Sequence, residues 1–146
     1  MNEKAGVRTT PSTKVDLNHS KVARLEGLDD VAKALFPGNK KHQCAFLAIF
    51  VEVKWAPGQF LPVLEPIADK YGIRARTFET VRAKMRRLGI IDHVCRFNKA
   101  YGYREGWVLS GRFSASLARL GETYEMLRIC RDSTQEKKER DLYRYL

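Results

Sequence analysis

The sequence is poor in cysteine and has no long hydrophobic run. Its three cysteines, Cys44, Cys95 and Cys130, are scattered and odd in number, which argues against a disulfide framework and is typical of a reducing compartment. No apolar run approaches the ~20 residues needed to span a bilayer. The polar start MNEKAGVRTTPSTK lacks a secretory signal. We therefore expect a cytoplasmic location and no membrane partner.

Catalytic and metal-binding motifs are also missing. The sequence contains no glycine-rich phosphate loop and no His-Glu-x-x-His. His93 and Cys95 share one face of a predicted strand, but structural zinc takes four closely spaced ligands. The other candidate ligands are distant in sequence: His19, His42, Cys44 and Cys130. We expect no enzymatic activity, no catalytic residues, no metal and no cofactor.

Acidic residues are in the minority, and the imbalance is local. The chain has 27 Lys and Arg against 17 Asp and Glu, a net charge of +10. The stretch 70–104 holds ten basic residues and only two acidic ones, Glu79 and Asp92. A basic excess concentrated on one segment is typical of a phosphate-binding surface. A basic face kept for solubility would instead spread along the chain.

The pattern predicts one domain over 27–131 with two looser ends. Residues 1–26 have few large apolar side chains, so we expect a flexible basic arm that reaches along a DNA groove, or a frayed terminus. Residues 132–146 are a charged tail or a helix extension. Within the domain, 28–36 and 40–55 are predicted helices. In the second of these, apolar residues recur at i, i+3, i+4 and i+7, namely Phe46, Ile49, Phe50 and Val53.

The stretch 67–91 organises the rest of the chain. A short helix beginning near Pro66 ends at Gly72, a residue that tolerates the left-handed conformation of helix ends. A second helix spans 77–88 and ends at Gly89. A glycine-containing turn between two helices is the helix-turn-helix signature, and a β pattern follows it.

This order of helix, turn, helix, strand, tip and strand resembles the winged helix-turn-helix DNA-binding domains, in particular the MarR/PadR-like superfamily of transcriptional regulators. The matching motif positions are Ala68, Gly72, Ile73, Thr77, Gly89, Ile90 and Ile91. The sequence departs from the family pattern at Arg74, where Ser often caps the second helix. It departs again at Arg82, where an apolar residue is usual and Val81 could take the core place. Over 40–127 the resemblance implies a mostly α fold with a small β-hairpin wing (α+β).

The second helix of this motif has two chemically different sides. Its core stripe consists of Phe78, Val81, Met85 and Leu88. The opposite side is predicted to face base edges in a major groove, where Arg pairs with guanine and methyl groups touch thymine; its members are Arg76, Thr80, Ala83 and Arg87. Lys84 and Arg86 flank that face and are predicted to contact phosphates. Arg74 and Thr77 at the helix start complete the predicted DNA-binding set on this helix.

The segment after the motif predicts a wing. Residues 90–97 and 107–109 have strand chemistry, and 98–106 are predicted to form a flexible tip. The tip carries cations and hydroxyl-bearing aromatics that suit a DNA backbone or a narrow minor groove: Lys99, Tyr101, Tyr103 and Arg104. The alternative is a hairpin whose tyrosines pack back on the strands.

The last predicted helix runs from Ser110 or Ser114 to about Arg131. Its apolar residues recur at alternating fours and threes, which is a heptad-like stripe: Phe113, Leu117, Leu120, Tyr124 and Leu127. This stripe either closes the monomer's own core or pairs two copies, and we expect a homodimer through the terminal helices.

The sequence thus predicts a sequence-specific protein that binds double-stranded DNA, most simply a transcriptional regulator. Two alternatives stay open. One is a winged-helix protein of plasmid or viral replication, or an RNA-binding one, because phosphate contacts look alike in these classes. The other is a winged helix used as a protein–protein module, with its basic face on an acidic partner.

Overall fold

The computed structural model describes residues 12–100 and 102–145. Within these ranges the chain is mostly helical, with seven α-helices and a small three-stranded antiparallel sheet. The chain forms two compact units that meet in sequence between Arg112 and Phe113. The elements are α1 (His19–Val22), α2 (Leu28–Leu35), α3 (Lys40–Lys54), β1 (Phe60–Leu61), α4 (Glu65–Tyr71), α5 (Ala75–Leu88), β2 (Ile91–Asn98), β3 (Gly102–Leu109), α6 (Arg112–Ile129) and α7 (Ser133–Leu142).

Side-chain caps set the starts of α2 and α3. The Asp30 carboxylate accepts from the backbone N–H groups of Glu26 and Gly27 at 3.1 and 3.4 Å. The Asn39 side chain accepts from the backbone N–H of His42 at 3.1 Å. In both cases the side chain accepts from backbone N–H groups, at or just before the helix start, that have no helical carbonyl as a partner. The two helices predicted from the sequence at these positions are confirmed.

Glycine ends both α4 and α5. Gly72 has φ 65° and ψ 36°, and the following N–H of Ile73 donates to the carbonyl of Ala68 at 2.8 Å. Gly89 has φ 84°, and the N–H of Ile90 donates to the carbonyl of Met85 at 2.8 Å. The left-handed conformation of each glycine lets the N–H group of the following residue donate to a carbonyl of the last helical turn. The predicted pair of helices joined by a tight turn is confirmed, although α5 begins two residues before the predicted start at 77.

The core of the first unit forms where α5 packs on α3. On α5, Phe78, Val81 and Met85 are buried, whereas Leu88 is half-buried. The predicted core place of Val81 is therefore confirmed. The facing side chains come from α3, α4 and the segments beside them: Ala45, Phe46, Ile49, Val53, Leu64 and Ile67.

The sheet has the order β1–β3–β2, and its hairpin is longer than the sequence predicted. The β2–β3 ladder runs from Ile91 opposite Leu109 to Asn98 opposite Gly102. The predicted flexible tip over 98–106 is therefore wrong. Strand β2 ends at Asn98 and β3 begins at Gly102, so Tyr103 and Arg104 lie on β3. Tyr101 falls outside the described residues.

The short strand β1 was not predicted, and it depends on a glycine. Phe60 and Leu61 pair with Val108 and Trp107 of β3. A Cβ atom on Gly106 would lie 2.5 Å from Cζ of Phe60 and 2.6 Å from the carbonyl oxygen of Leu61. Gly106 is thus the position that lets β1 approach β3 closely.

The described part of the predicted N-terminal arm contacts the domain. The backbone N–H of Asp16 donates to the carbonyl of Ala34 at 2.7 Å. Residues 19–22 form α1, and the Asn18 side chain accepts from the N–H of Lys21 at 3.2 Å. The described part of the predicted arm thus contains a short helix and one backbone contact with α2, whereas its flexibility stays a prediction. Residues 1–11 lie outside the described residues.

The second unit consists of helices that bury no residue in the described chain. The α6 helix ends at Ile129. The tail then begins a separate helix, α7, where the Asp132 carboxylate accepts from the N–H of Thr134 at 3.0 Å, rather than extending α6. Across the described ranges, none of the helices combines the length and apolar character needed to cross a membrane.

We expect Gly106→Ala to lower the free energy of unfolding by about 1–3 kcal/mol, because the added methyl group collides with β1. Gly111→Ala is the matched control, since a Cβ atom there meets nothing within 4 Å. Chemical denaturation of both variants measures the difference. Equal stability of the two variants would contradict the close approach of β1.

Candidate nucleic-acid interface

The side of α5 turned away from the core is exposed, and all four predicted base-reading residues lie on it. Arg76, Thr80, Ala83 and Arg87 are all exposed and follow one another at helical spacing. The Thr80 hydroxyl donates to the carbonyl of Arg76 at 2.9 Å, so it is already engaged within the helix. Arg86 is also exposed beside this row.

The start of α5 is exposed and has no side-chain cap. Arg74 occupies the capping position with extended backbone angles, and its side chain makes no capping hydrogen bond. Arg74 is exposed, whereas Thr77 is half-buried. The first turn of α5 therefore presents arginine together with backbone N–H groups, a combination that favours anions.

One arginine of α5, Arg82, differs from the others because it forms ion pairs. Arg82 contacts Glu65 at 2.8 Å and also pairs with Glu79. Partial burial opposes the charge of Arg82, but the hydrogen bonds with the two carboxylates more than offset it and raise its pKa. The same contact with Arg82 lowers the pKa of Glu65.

Within the described residues, the exposed guanidinium groups of α5 form no ion pairs, although Arg86 adds to the stronger effect of Arg112 in lowering the pKa of Asp92. In the part of the chain that the structure describes, no ion pair forms at the other four arginines of α5 and its cap: Arg74, Arg76, Arg86 and Arg87. The exposed face of the helix therefore carries a concentrated positive charge.

An indole forms one wall of the cleft beside α5. The guanidinium carbons of Arg82 and Arg86 lie 5.5 and 5.8 Å from the ring centre of Trp107, and the His93 ring lies 4.9 Å from it. Cation–π contact of this kind holds a guanidinium group over an aromatic face. The cleft has a volume of about 480 Å³ and is lined by Glu79, Arg82, Ala83, Arg86, Arg87 and Trp107. The sequence did not predict that Trp107 lies beside α5, because this position depends on the strand register.

The two faces of the β2–β3 hairpin carry different chemistry. Neighbouring residues on a strand point to opposite faces, so Tyr103 shares the face of Trp107 and Arg104 lies on the other. Opposite Tyr103 stands Phe97, and the two rings are 63% and 75% exposed. A hydrogen bond with Cys95 raises the pKa of Tyr103. Lys99 is exposed in the connection.

Lys84 does not belong to the exposed surface, so its predicted place among the phosphate-contacting residues is wrong. Its side chain is buried, and its ammonium group donates to the carbonyl oxygens of Lys14, at 2.6 Å, and Leu35. It also lies 4.4 Å from the ring centre of Phe36. Leu35 ends α2, where free carbonyls favour a cation. Burial lowers the pKa of Lys84.

Over residues 12–100 and 102–145, no three His, Cys, Asp or Glu side chains cluster in a way that could hold a metal ion. Comparison of the chain with protein-family models, curated proteins and solved structures gives no significant match.

We expect Lys84→Met to lower the free energy of unfolding by about 2 kcal/mol or more, because it leaves two carbonyls without their charged donor. Lys41→Met makes the same chemical change at an exposed position of α3 and should be nearly neutral. Urea denaturation compares the two variants. A neutral effect at both positions would show that Lys84 is not a structural contact.

Proposed function

We propose that the chain is a winged helix-turn-helix protein that binds double-stranded DNA sequence-specifically and acts as a transcriptional regulator. The observation that carries this proposal is the separation of charge on α5. Arg82, on the flank, is paired with two carboxylates, whereas Arg74, Arg76 and Arg87 of the outward face form no ion pair in the described chain. Uncompensated arginines along one helix face match a polyanion.

The dimensions of α5 suit a major groove. Its 14 residues make a rod about 21 Å long, and B-DNA accepts an α-helix in its major groove. Ala83 is small and sits at mid-face, so the helix backbone can approach the groove floor. Arg76 and Arg87 then reach base edges on either side of it, while Arg74 and Arg86 lie nearer to the phosphates.

The hairpin supplies the second contact. Tyr103 lies on the hairpin face that also carries Trp107, beside α5, and Lys99 is exposed in the short connection. In this proposal the hairpin is the wing, and Lys99 and Tyr103 touch the DNA backbone or the minor groove. Phosphate contacts of this kind fix the position of the protein without reading sequence.

We propose in addition that α6 pairs two copies of the chain. Its apolar residues follow a heptad-like spacing, yet within the described chain the helix buries none of them. Leu117, Leu120, Tyr124 and Leu127 are 39–61% exposed. An apolar row with this spacing is typical of a helix that packs on a partner helix. A two-fold dimer would present two copies of α5 to a palindromic site.

A second candidate function is binding to unpaired nucleic acid. The exposed pair of Phe97 and Tyr103 favours it, since aromatic rings on a strand surface stack on unpaired bases. Comparison of affinities for single-stranded and duplex oligonucleotides of equal length distinguishes the two functions. Tighter binding to the single strand, lost in Phe97→Ala, would favour the second candidate.

We expect Arg87→Gln to weaken binding to a preferred duplex by about 1–3 kcal/mol and to relax specificity at one base position, because a base-edge contact is lost. Lys99→Gln should weaken binding to all duplexes alike. Arg140→Gln removes the same charge from a side chain that is paired with Glu136 at 2.8 Å, and it should leave binding unchanged. Fluorescence anisotropy at several salt concentrations measures all three variants. A uniform loss for both Arg87→Gln and Lys99→Gln would sink the base-reading role of Arg87.

We expect Leu120→Glu to convert a dimer into a monomer at micromolar concentration, because it places a carboxylate in the apolar row of α6. Ala115→Glu puts the same group on the opposite side of the helix and should leave the dimer intact. Sedimentation velocity distinguishes the two states. A monomeric wild-type protein at the same concentration would contradict pairing through α6.

A further inference from the structure

Two arginines stand directly opposite each other on the hairpin face away from Trp107. Arg96 of β2 and Arg104 of β3 are cross-strand partners in the antiparallel ladder, and both side chains are exposed. Like charges in directly opposite positions destabilise a sheet. The arrangement therefore works against the stability of the hairpin unless something negative lies between the two groups.

Both guanidinium groups converge on one aromatic ring. The guanidinium carbons of Arg96 and Arg104 lie 5.8 and 5.1 Å from the ring centre of Phe60. Phe60 reaches this place because Gly106 has no side chain to block it. Cation–π contact holds each arginine in position, so the two forks are arranged before any ligand arrives.

No carboxylate neutralises this pair in the described chain. The nearest acidic residue along β3, Glu105, points to the opposite face, where its carboxylate lies 3.6 Å from Nε2 of His93. The two arginines border a shallow cavity of about 250 Å³, whose other walls include Phe60 and the turn at Pro57 and Gly58. The cavity is large enough for a small phosphorylated group.

We propose that Arg96 and Arg104 form a binding site for a phosphate monoester. Two fixed guanidinium forks offer paired donors to the oxygens of one tetrahedral anion, and their two charges match the nearly two negative charges of a monoester at neutral pH. A phosphodiester carries only one charge and fits the pair less well. The site lies on the face away from α5 and does not depend on the proposed DNA-binding function.

The direct test is titration of the full chain with methyl phosphate, followed by amide NMR shifts at constant ionic strength. We expect saturable shifts at Phe60, Arg96 and Arg104. Dimethyl phosphate should bind at least about tenfold more weakly than methyl phosphate. Arg96→Gln and Arg104→Gln should each weaken methyl phosphate binding at least about tenfold. Neither variant should lower the melting temperature, because each removes a repulsion between like charges.

Arg119→Gln is the matched control, because it removes the same charge from an exposed arginine on α6. It should leave methyl phosphate binding unchanged. Arg104→Lys keeps the charge but loses the planar fork, so intermediate weakening is expected. Equal binding of the monoester and the diester, or equal losses in Arg119→Gln and Arg96→Gln, would overturn the proposal in favour of a general attraction of anions.

A second comparison identifies the source of the phosphate. The same oligonucleotide duplex is prepared with a 5′-phosphate and with a 5′-hydroxyl group. A preference for the 5′-phosphate that disappears in Arg104→Gln would assign the site to the end of a nucleic-acid strand. Equal affinity for the two duplexes, with methyl phosphate binding retained, would assign it to a small phosphorylated molecule. Absence of both effects would overturn the site.

Discussion

The packing of α5 on α3 fixes the direction of every other side chain on α5. Phe78, Val81 and Met85 are at most 2% exposed, and burying side chains of this size stabilises the fold by about 1.5–3 kcal/mol each. A helix turns by about 100° per residue, so a shift of one position would bury an arginine in place of an apolar residue. Because such a shift would lower the stability of the fold, the arginine face of α5 stays exposed. The proposed contact with DNA depends on this exposure.

Local chemistry explains what the sequence could predict. Gly72 and Gly89 end their helices in the left-handed conformation, and Asn39 caps α3. Each of these features acts within a few residues, so each is visible in the sequence. The apolar spacing on α5 likewise located its buried side, and with it the exposed positions of Arg76, Ala83 and Arg87.

Long-range contacts explain what the sequence could not predict. Lys84 was taken for a surface cation, but its ammonium group reaches the carbonyl of Leu35, 49 residues away in the chain. The long aliphatic part of the Lys84 side chain lets its ammonium group reach the carbonyls at the end of α2, so this charged residue has a structural role. Two residues are too few for β1 to show a pattern. The glycines and tyrosines of 101–106 suggested a loose tip, whereas cross-strand pairing continues to Gly102.

The two faces of the β2–β3 hairpin carry different side chains. The face with Trp107 borders α5, and the face with Arg96 and Arg104 carries the proposed anion site. Strand alternation alone creates this division. The two proposals therefore place duplex DNA and the small anion on different faces of the same hairpin.

The most direct measurement is selection from a pool of random-sequence duplexes by the full chain at ~150 mM salt, where non-specific phosphate contacts are weak. If α5 reads bases as proposed, the selected pool is enriched in a short motif, and pairing through α6 makes that motif palindromic. Absence of enrichment, together with binding that disappears as salt rises, would contradict base reading by Arg76, Thr80, Ala83 and Arg87.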